Sequence, residues 1–130
     1  MPEPIWIDVI DAIILHDREL AASGGLAGMR DGAMLESALM RARNLWSYAE
    51  SSPSLSGIAA AYAFGISANH PFLDGNKRTA VLVSFTFLDV NGLEVTASQE
   101  DVYLTFLALA AGQFSEEELA GWFERNTASR

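Results

Sequence analysis

Nine consecutive residues, His70-Pro71-Phe72-Leu73-Asp74-Gly75-Asn76-Lys77-Arg78, hold a proton acceptor, a carboxylate, a turn and two adjacent cations. A loop that ends in glycine and feeds a helix exposes unpaired backbone N–H groups at the positive end of the helix dipole, a combination that attracts an anion. Lys77 and Arg78 add two full positive charges there, a placement that is unfavourable unless an anion is bound. Asp74 supplies a hard oxygen ligand beside that site, and magnesium is usually held by one or two carboxylates together with substrate phosphates. His70 is of the residue type that takes up a proton near neutral pH. Base, phosphate site and metal ligand together suit activation of a hydroxyl, such as one on a protein, for attack at phosphorus. Phe72 is expected to anchor the loop in the core, and Asn76 either to contact phosphate or to cap the following helix.

The loop needs two helices to hold it. Pro71 disfavours the α conformation at His70, so the preceding helix should end at or near the histidine. That helix follows the break Ser51-Ser52-Pro53-Ser54 and carries Leu55, Ile58, Ala59, Tyr62, Ala63 and Ile66. Asn76 reads as the N-cap of the next helix, whose run Thr79 to Val90 is apolar on nearly every side and is expected to be the most buried of the bundle. Asn91-Gly92 stops it with a left-handed residue.

Upstream, the pattern predicts a helix from about Ile7 to Ala22 with Ile10, Ile13, Ile14 and Ala21 facing inward, ended by Ser23-Gly24-Gly25. Asp31 then caps a second helix, with Met34, Leu35, Ala38, Leu39 and Ala42 on one face, running to about Trp46. The glycine-rich loop Gly24 to Arg30 between them is expected near a functional edge. Downstream, Leu93 to Thr96 reads as a short extended piece, Ser98 starts a helix to about Ala111, and Ser115 with Glu118 forms a capping box. The expectation is an all-α fold, a compact bundle of about six helices in one domain over residues 1–130. Trp6, Trp46 and Trp122 should pack at helix contacts. His16, beside Asp17 and Arg18, reads as a surface or boundary residue and Arg30 as a residue at the substrate's border; neither is placed in the site. Glu116 to Glu118 is a favourable first-turn charge run, not a metal site.

Composition narrows the function classes. Of the 130 residues half are hydrophobic and 19% charged, within ordinary globular space. With 17 acidic against 8 basic residues the formal net charge is −9, which makes a nucleic-acid backbone a poor partner and leaves room only for a local anion site. The absence of cysteine excludes disulfides and thiolate metal sites. The apolar run Thr79 to Leu88 is about half the roughly 20 residues a membrane span requires, and the opening Met1-Pro2-Glu3-Pro4 lacks the basic start of an export signal. A cytoplasmic protein without a membrane segment is the expectation.

The nine-residue segment resembles the signature of the Fic/Doc family, HxFx(D/E)GN followed by a variable residue and arginine. The match is ungapped, and a chance occurrence would arise on the order of once per 10^8 to 10^9 starting points. Gly24-Gly25-Leu26-Ala27-Gly28-Met29-Arg30-Asp31 and the alanine-rich lead-in to Asn69-His70 extend the similarity to the shorter Doc branch. Lys77 stands where Fic AMP-transferases have glycine, and Val81 where they have a second arginine; the Doc branch shares both departures. The resemblance implies a toxin that transfers the γ-phosphate of ATP to a protein hydroxyl, in the characterised case on a translation elongation factor, and that a Phd-like antitoxin restrains. It implies His70 as base, Asp74 as Mg2+ ligand, and Gly75, Asn76, Lys77 and Arg78 as the phosphate cradle. AMP transfer on the same scaffold is the runner-up, and a catalytically silent antitoxin-binding module the third reading. The inhibitory pattern [ST]xxxE[GN] of some Fic proteins has only a near miss at Thr96 to Asp101, so control by a separate antitoxin is the simpler expectation.

Overall fold

The computed structural model describes residues 2–48 and 53–130. It is an all-α fold of six helices with one small antiparallel ribbon among the described residues. Helix α1 spans Val9–Ser23 and α2 spans Gly32–Tyr48, where Asp31 Oδ1 accepts from the N–H groups of Ala33 and Met34 as an N-cap does. Helix α3 spans Leu55–Asn69, with Ser54 Oγ accepting from Gly57 N–H at its start. Ser51 and Ser52 of the expected break lie outside the described residues.

Helix α4 spans Asn76–Val90 and is followed by strand β1 at Leu93–Val95. Helices α5, Gln99–Ala110, and α6, Glu116–Arg125, start at Ser98 and at the Ser115/Glu118 capping box, as their caps require. The chain ends in β2, Thr127–Ser129, which pairs with β1 in the register Glu94 to Ala128. Three residues carry too short a pattern to announce a strand, so β2 is visible only through its pairing. No described helix is long and apolar enough to cross a membrane.

The centre of the bundle is α3, packed against α2, α4 and α6. Ten of its fifteen residues are buried, against six of fifteen in α4, so α3 takes the place expected of α4. Small residues explain the exchange. Ala59, Ala60, Ala61, Ala63 and Gly65 let neighbours approach α3 from all sides, whereas α4 turns Arg78, Asp89 and Val90 to solvent. A Cβ at Gly65 would lie 3.0 Å from the Ala38 carbonyl oxygen, so glycine there sets the α2–α3 approach. Ile58, Tyr62 and Ile66 are fully buried, each contributing about 1.5–3 kcal/mol if wholly withdrawn from water.

The inward face of α1 also differs from its pattern. Ile10 and Ile14 are exposed, and Ala12 and His16 are buried instead. Two apolar stripes run along this helix, and the stripe Ala12-His16-Leu20 is chosen because a flat ring fits against the loop after α3. Ala21 and Met34 are likewise exposed. The tryptophans behave as expected: Trp6 lies edge-on to Trp46 and stacked on Phe87, and Trp122 packs edge-on against Phe106 and Phe123.

Candidate functional site

The loop from His70 to Gly75 is held from three directions. At its start His70 ends α3 in the left-handed conformation, φ 47° and ψ 57°, and it is the only non-glycine residue with positive φ among those described. Histidine tolerates this region better than most side chains, but the conformation persists only where neighbours enforce it. Here the His70 N–H donates to the Ile66 carbonyl, and the His70 carbonyl accepts from Arg30 Nε at 2.6 Å. Arg30 Nη2 donates to the Asn69 carbonyl, also at 2.6 Å, so one guanidinium covers two otherwise open carbonyls at the end of α3.

In the middle of the loop, the glycine-rich segment runs alongside. Met29 and Phe72 form an isolated antiparallel bridge, Leu73 N–H donates to the Gly28 carbonyl, and Arg30 and Asp31 both donate to the Pro71 carbonyl. Phe72 is buried, as expected of an anchor. The Asn76 side chain closes the loop on itself: Oδ1 accepts from Phe72 N–H and Nδ2 donates to the Phe72 carbonyl, each at 2.9 Å. Asn76 is therefore the first residue of α4 and not its N-cap; Gly75, at φ 80°, takes that position. The amide is better used bridging Phe72 than bonding its own helix, because Phe72 would otherwise leave both backbone groups unpaired near the core.

A cavity of about 580 Å³ opens over this loop, a size suited to a small molecule. Its wall brings together His70, Asp74, Gly75, Asn76, Lys77 and Arg78 with Glu19, Ser23, Gly24 and Gly25 of α1 and the glycine-rich loop. All six residues singled out in sequence thus line one space. The His70 side chain is solvent-accessible and has no hydrogen-bond partner among the described residues. Asp74 Oδ1 accepts from Gly75 N–H at 2.9 Å and Oδ2 from Leu26 N–H at 3.2 Å, leaving lone pairs on both oxygens. A Cβ on Gly25 would stand 2.8 Å from Asp74 Oδ2, and Gly25 has φ 125°, so both space and backbone demand glycine there.

The two cations are not equivalent. Arg78 Nη1 donates to Glu19 Oε1 at 2.9 Å, and the Ser23 hydroxyl donates to the same oxygen at 2.7 Å. The Ser23 hydroxyl, with Arg78 behind it, holds the Glu19 carboxyl below its usual range. Lys77 takes part in no ion pair among the described residues, and its Nζ lies 5.6 Å from the Tyr103 ring centre. No group of three or more His, Asp or Glu suited to a metal occurs among the described residues. A divalent cation therefore fits here only as Asp74 plus oxygens brought by a phosphate ligand, which is the ordinary way magnesium is bound.

Sequence reasoning missed Glu19, Ser23 and the most informative residue, His16. Far from the surface, the His16 ring is 1% exposed, with Nε2 2.8 Å from the Asp74 carbonyl and its plane stacked 3.7 Å from Phe72. Its spacing four residues after Ala12 and four before Leu20 places it on one of two candidate stripes, which by itself does not say which of the two turns inward. Glu100, in the near-miss inhibitory pattern, sits exposed in the first turn of α5, away from the cavity wall.

Comparison with known proteins adds to this geometry. A family model described as the Fic/DOC family matches residues 6–88. The chain is 34% identical over 115 residues to "Protein kinase doc" of Escherichia phage P1, covering 88% of this chain and 90% of that protein. It is 37% identical over 76 residues to "Toxin Doc" of Mycolicibacterium smegmatis, covering 58% of each.

Proposed function

Because this chain belongs to the Fic/DOC family, we propose that it is a Doc-like toxin that transfers the γ-phosphate of ATP to a hydroxyl side chain of a host protein. One observation carries the reading: an accessible His70 and the Asp74 carboxylate face the same cavity as Lys77 and the N-terminus of α4. His70 accepts the proton of the attacking hydroxyl. The new bond joins that oxygen to the γ-phosphorus, the bond from γ-phosphorus to the β–γ bridging oxygen breaks, and ADP leaves. The backbone at Gly75 and the start of α4, with the Lys77 and Arg78 side chains, receives the phosphates, while the Asn76 side chain serves that cradle by keeping the loop closed on Phe72. Asp74 holds Mg2+, which when bound neutralises charge on the phosphate oxygens. The relatives' names, a protein kinase and a toxin, support both halves of the proposal.

A Phd-like antitoxin is the proposed restraining partner, the cytoplasm the proposed place of action, and an elongation factor the first target to test. The net charge of −9 supports a protein rather than a nucleic acid as substrate. The deciding experiment uses ATP labelled separately at the α and γ phosphates, host lysate as substrate and His70→Ala as control. Label from the γ position alone, with a mass gain of one phosphoryl group, is the expected result. Label from the α position means AMP transfer and overturns the kinase reading; retained antitoxin binding with neither label means a silent module.

A further inference from the structure

We propose that His16 is a positioning residue for this site, setting the direction of the Asp74–Gly75 peptide and through it both the Gly75 N–H and the Asp74 carboxylate. The inference rests on the phosphate-binding reading of the loop and extends it to a residue outside the nine-residue segment.

A carbonyl oxygen only accepts, so the 2.8 Å contact requires the hydrogen to sit on His16 Nε2. The contact is buried, with the ring 1% exposed, and the ring cannot swing away because it lies flat on Phe72, 8° from parallel. A trans peptide is planar, and its C=O and N–H point in opposite directions. Holding the Asp74 carbonyl on the inner side therefore turns the Gly75 N–H outward. The structure agrees: that N–H meets Asp74 Oδ1, whose residue lines the cavity. Gly75 adopts φ 80° beside the ring, where a Cβ would lie 3.5 Å from Nε2. One hydrogen bond from α1 thus orients the backbone donor at the start of α4 and the carboxylate bonded to it.

A histidine that merely filled space would stack on Phe72 without deciding this peptide. Two substitutions separate the roles: His16→Phe keeps the stacking and loses the donor, while His16→Gln offers an N–H near the same place. In each folded variant the Gly75 amide is followed by NMR during titration with inorganic phosphate, and kcat and KM for ATP are measured. His16→Phe is expected to move the Gly75 amide, weaken its phosphate response and lower kcat by about 10- to 100-fold, with His16→Gln recovering most of each. An unchanged Gly75 amide and phosphate response in folded His16→Phe overturns the proposal.

The wild-type chain provides a test that needs no variant to fold. Long-range proton–nitrogen NMR should find the His16 hydrogen on Nε2, and a ring protonated only on Nδ1 overturns the proposal. Neither the tautomer nor the Gly75 amide depends on turnover. Failure of the transfer reading is therefore recognised separately, by the absence of label from ATP.

Discussion

Arg78 enters the cavity already bound to an anion, the Glu19 carboxylate, so a phosphate must share or displace that partner. The pair is half open to water, with the arginine side chain 60% exposed, and contributes little to stability. Because the Glu19 carboxyl is held low, what it contributes is present at neutral pH and is lost only as pH falls through that lowered value. His70 and Gly25 give sharper predictions. His70→Ala is expected to keep the fold and ADP binding, measured by calorimetry, while transfer falls by about 10²–10⁴-fold, the usual loss for a general base. Gly25→Ala pushes a methyl group against Asp74 and strains the backbone; it is expected to lower both the melting temperature and the magnesium response of transfer. Equal magnesium titration curves for this variant and the wild type would contradict the placement of Asp74.

Among the elements, the end of α3 decides how well the site is held. Arg30 spans the carbonyls of Asn69 and His70, and its own N–H reaches Pro71. Hydrogen bonds from a charged donor contribute about 1.5–3 kcal/mol when buried and less when exposed, as this side chain is. Arg30→Ala is therefore expected to cost about 1 kcal/mol in urea unfolding. Its larger effect should be on kcat, because His70 loses the contact that fixes its left-handed backbone. Arg30→Lys should not rescue, since one ammonium cannot span both carbonyls as the planar guanidinium does. Full activity in Arg30→Lys would reduce the contact to a charge effect.

Across the whole molecule, stability gathers on α3. The Tyr62 hydroxyl accepts from Ile7 N–H at 3.0 Å and donates to the Ile7 carbonyl at 3.2 Å, tying the segment before α1 to the centre. Burial pushes the Tyr62 hydroxyl from 10.0 up to about 12. With the folded value raised, the stabilisation is complete below pH 10, falls between about 10 and 12, and is gone above. Urea midpoints measured from pH 8 to 12 should fall in that window, and Tyr62→Phe should flatten the fall while lowering stability at neutral pH. Gly65→Val forces α2 away from α3 at Ala38 and is expected to destabilise by about 1–3 kcal/mol or more. An unchanged melting temperature would mean that the two helices are free to separate.

The sequence by itself determined the all-helical class, the break before α3, the caps at Asp31, Ser98 and Ser115, the end of α3 at His70, and six of the residues that line the cavity. These rest on local chemistry: cap side chains bond backbone within three residues, and a contiguous loop keeps its members together however the helices pack. Tertiary structure alone decided that α3 and not α4 is central, that α1 turns in its Ala12-His16 stripe, and that Asn76 bridges Phe72 while Gly75 caps. The orientation of α1 depends on partners far along the chain, His16 being 58 residues from Asp74, whereas Asn76 finds Phe72 only four residues away, once the packed loop has folded back over the start of α4. No periodicity within α1 can reveal which of two apolar stripes will meet a carbonyl that needs a donor, because that carbonyl takes its place only once α3, the loop and α4 have packed together.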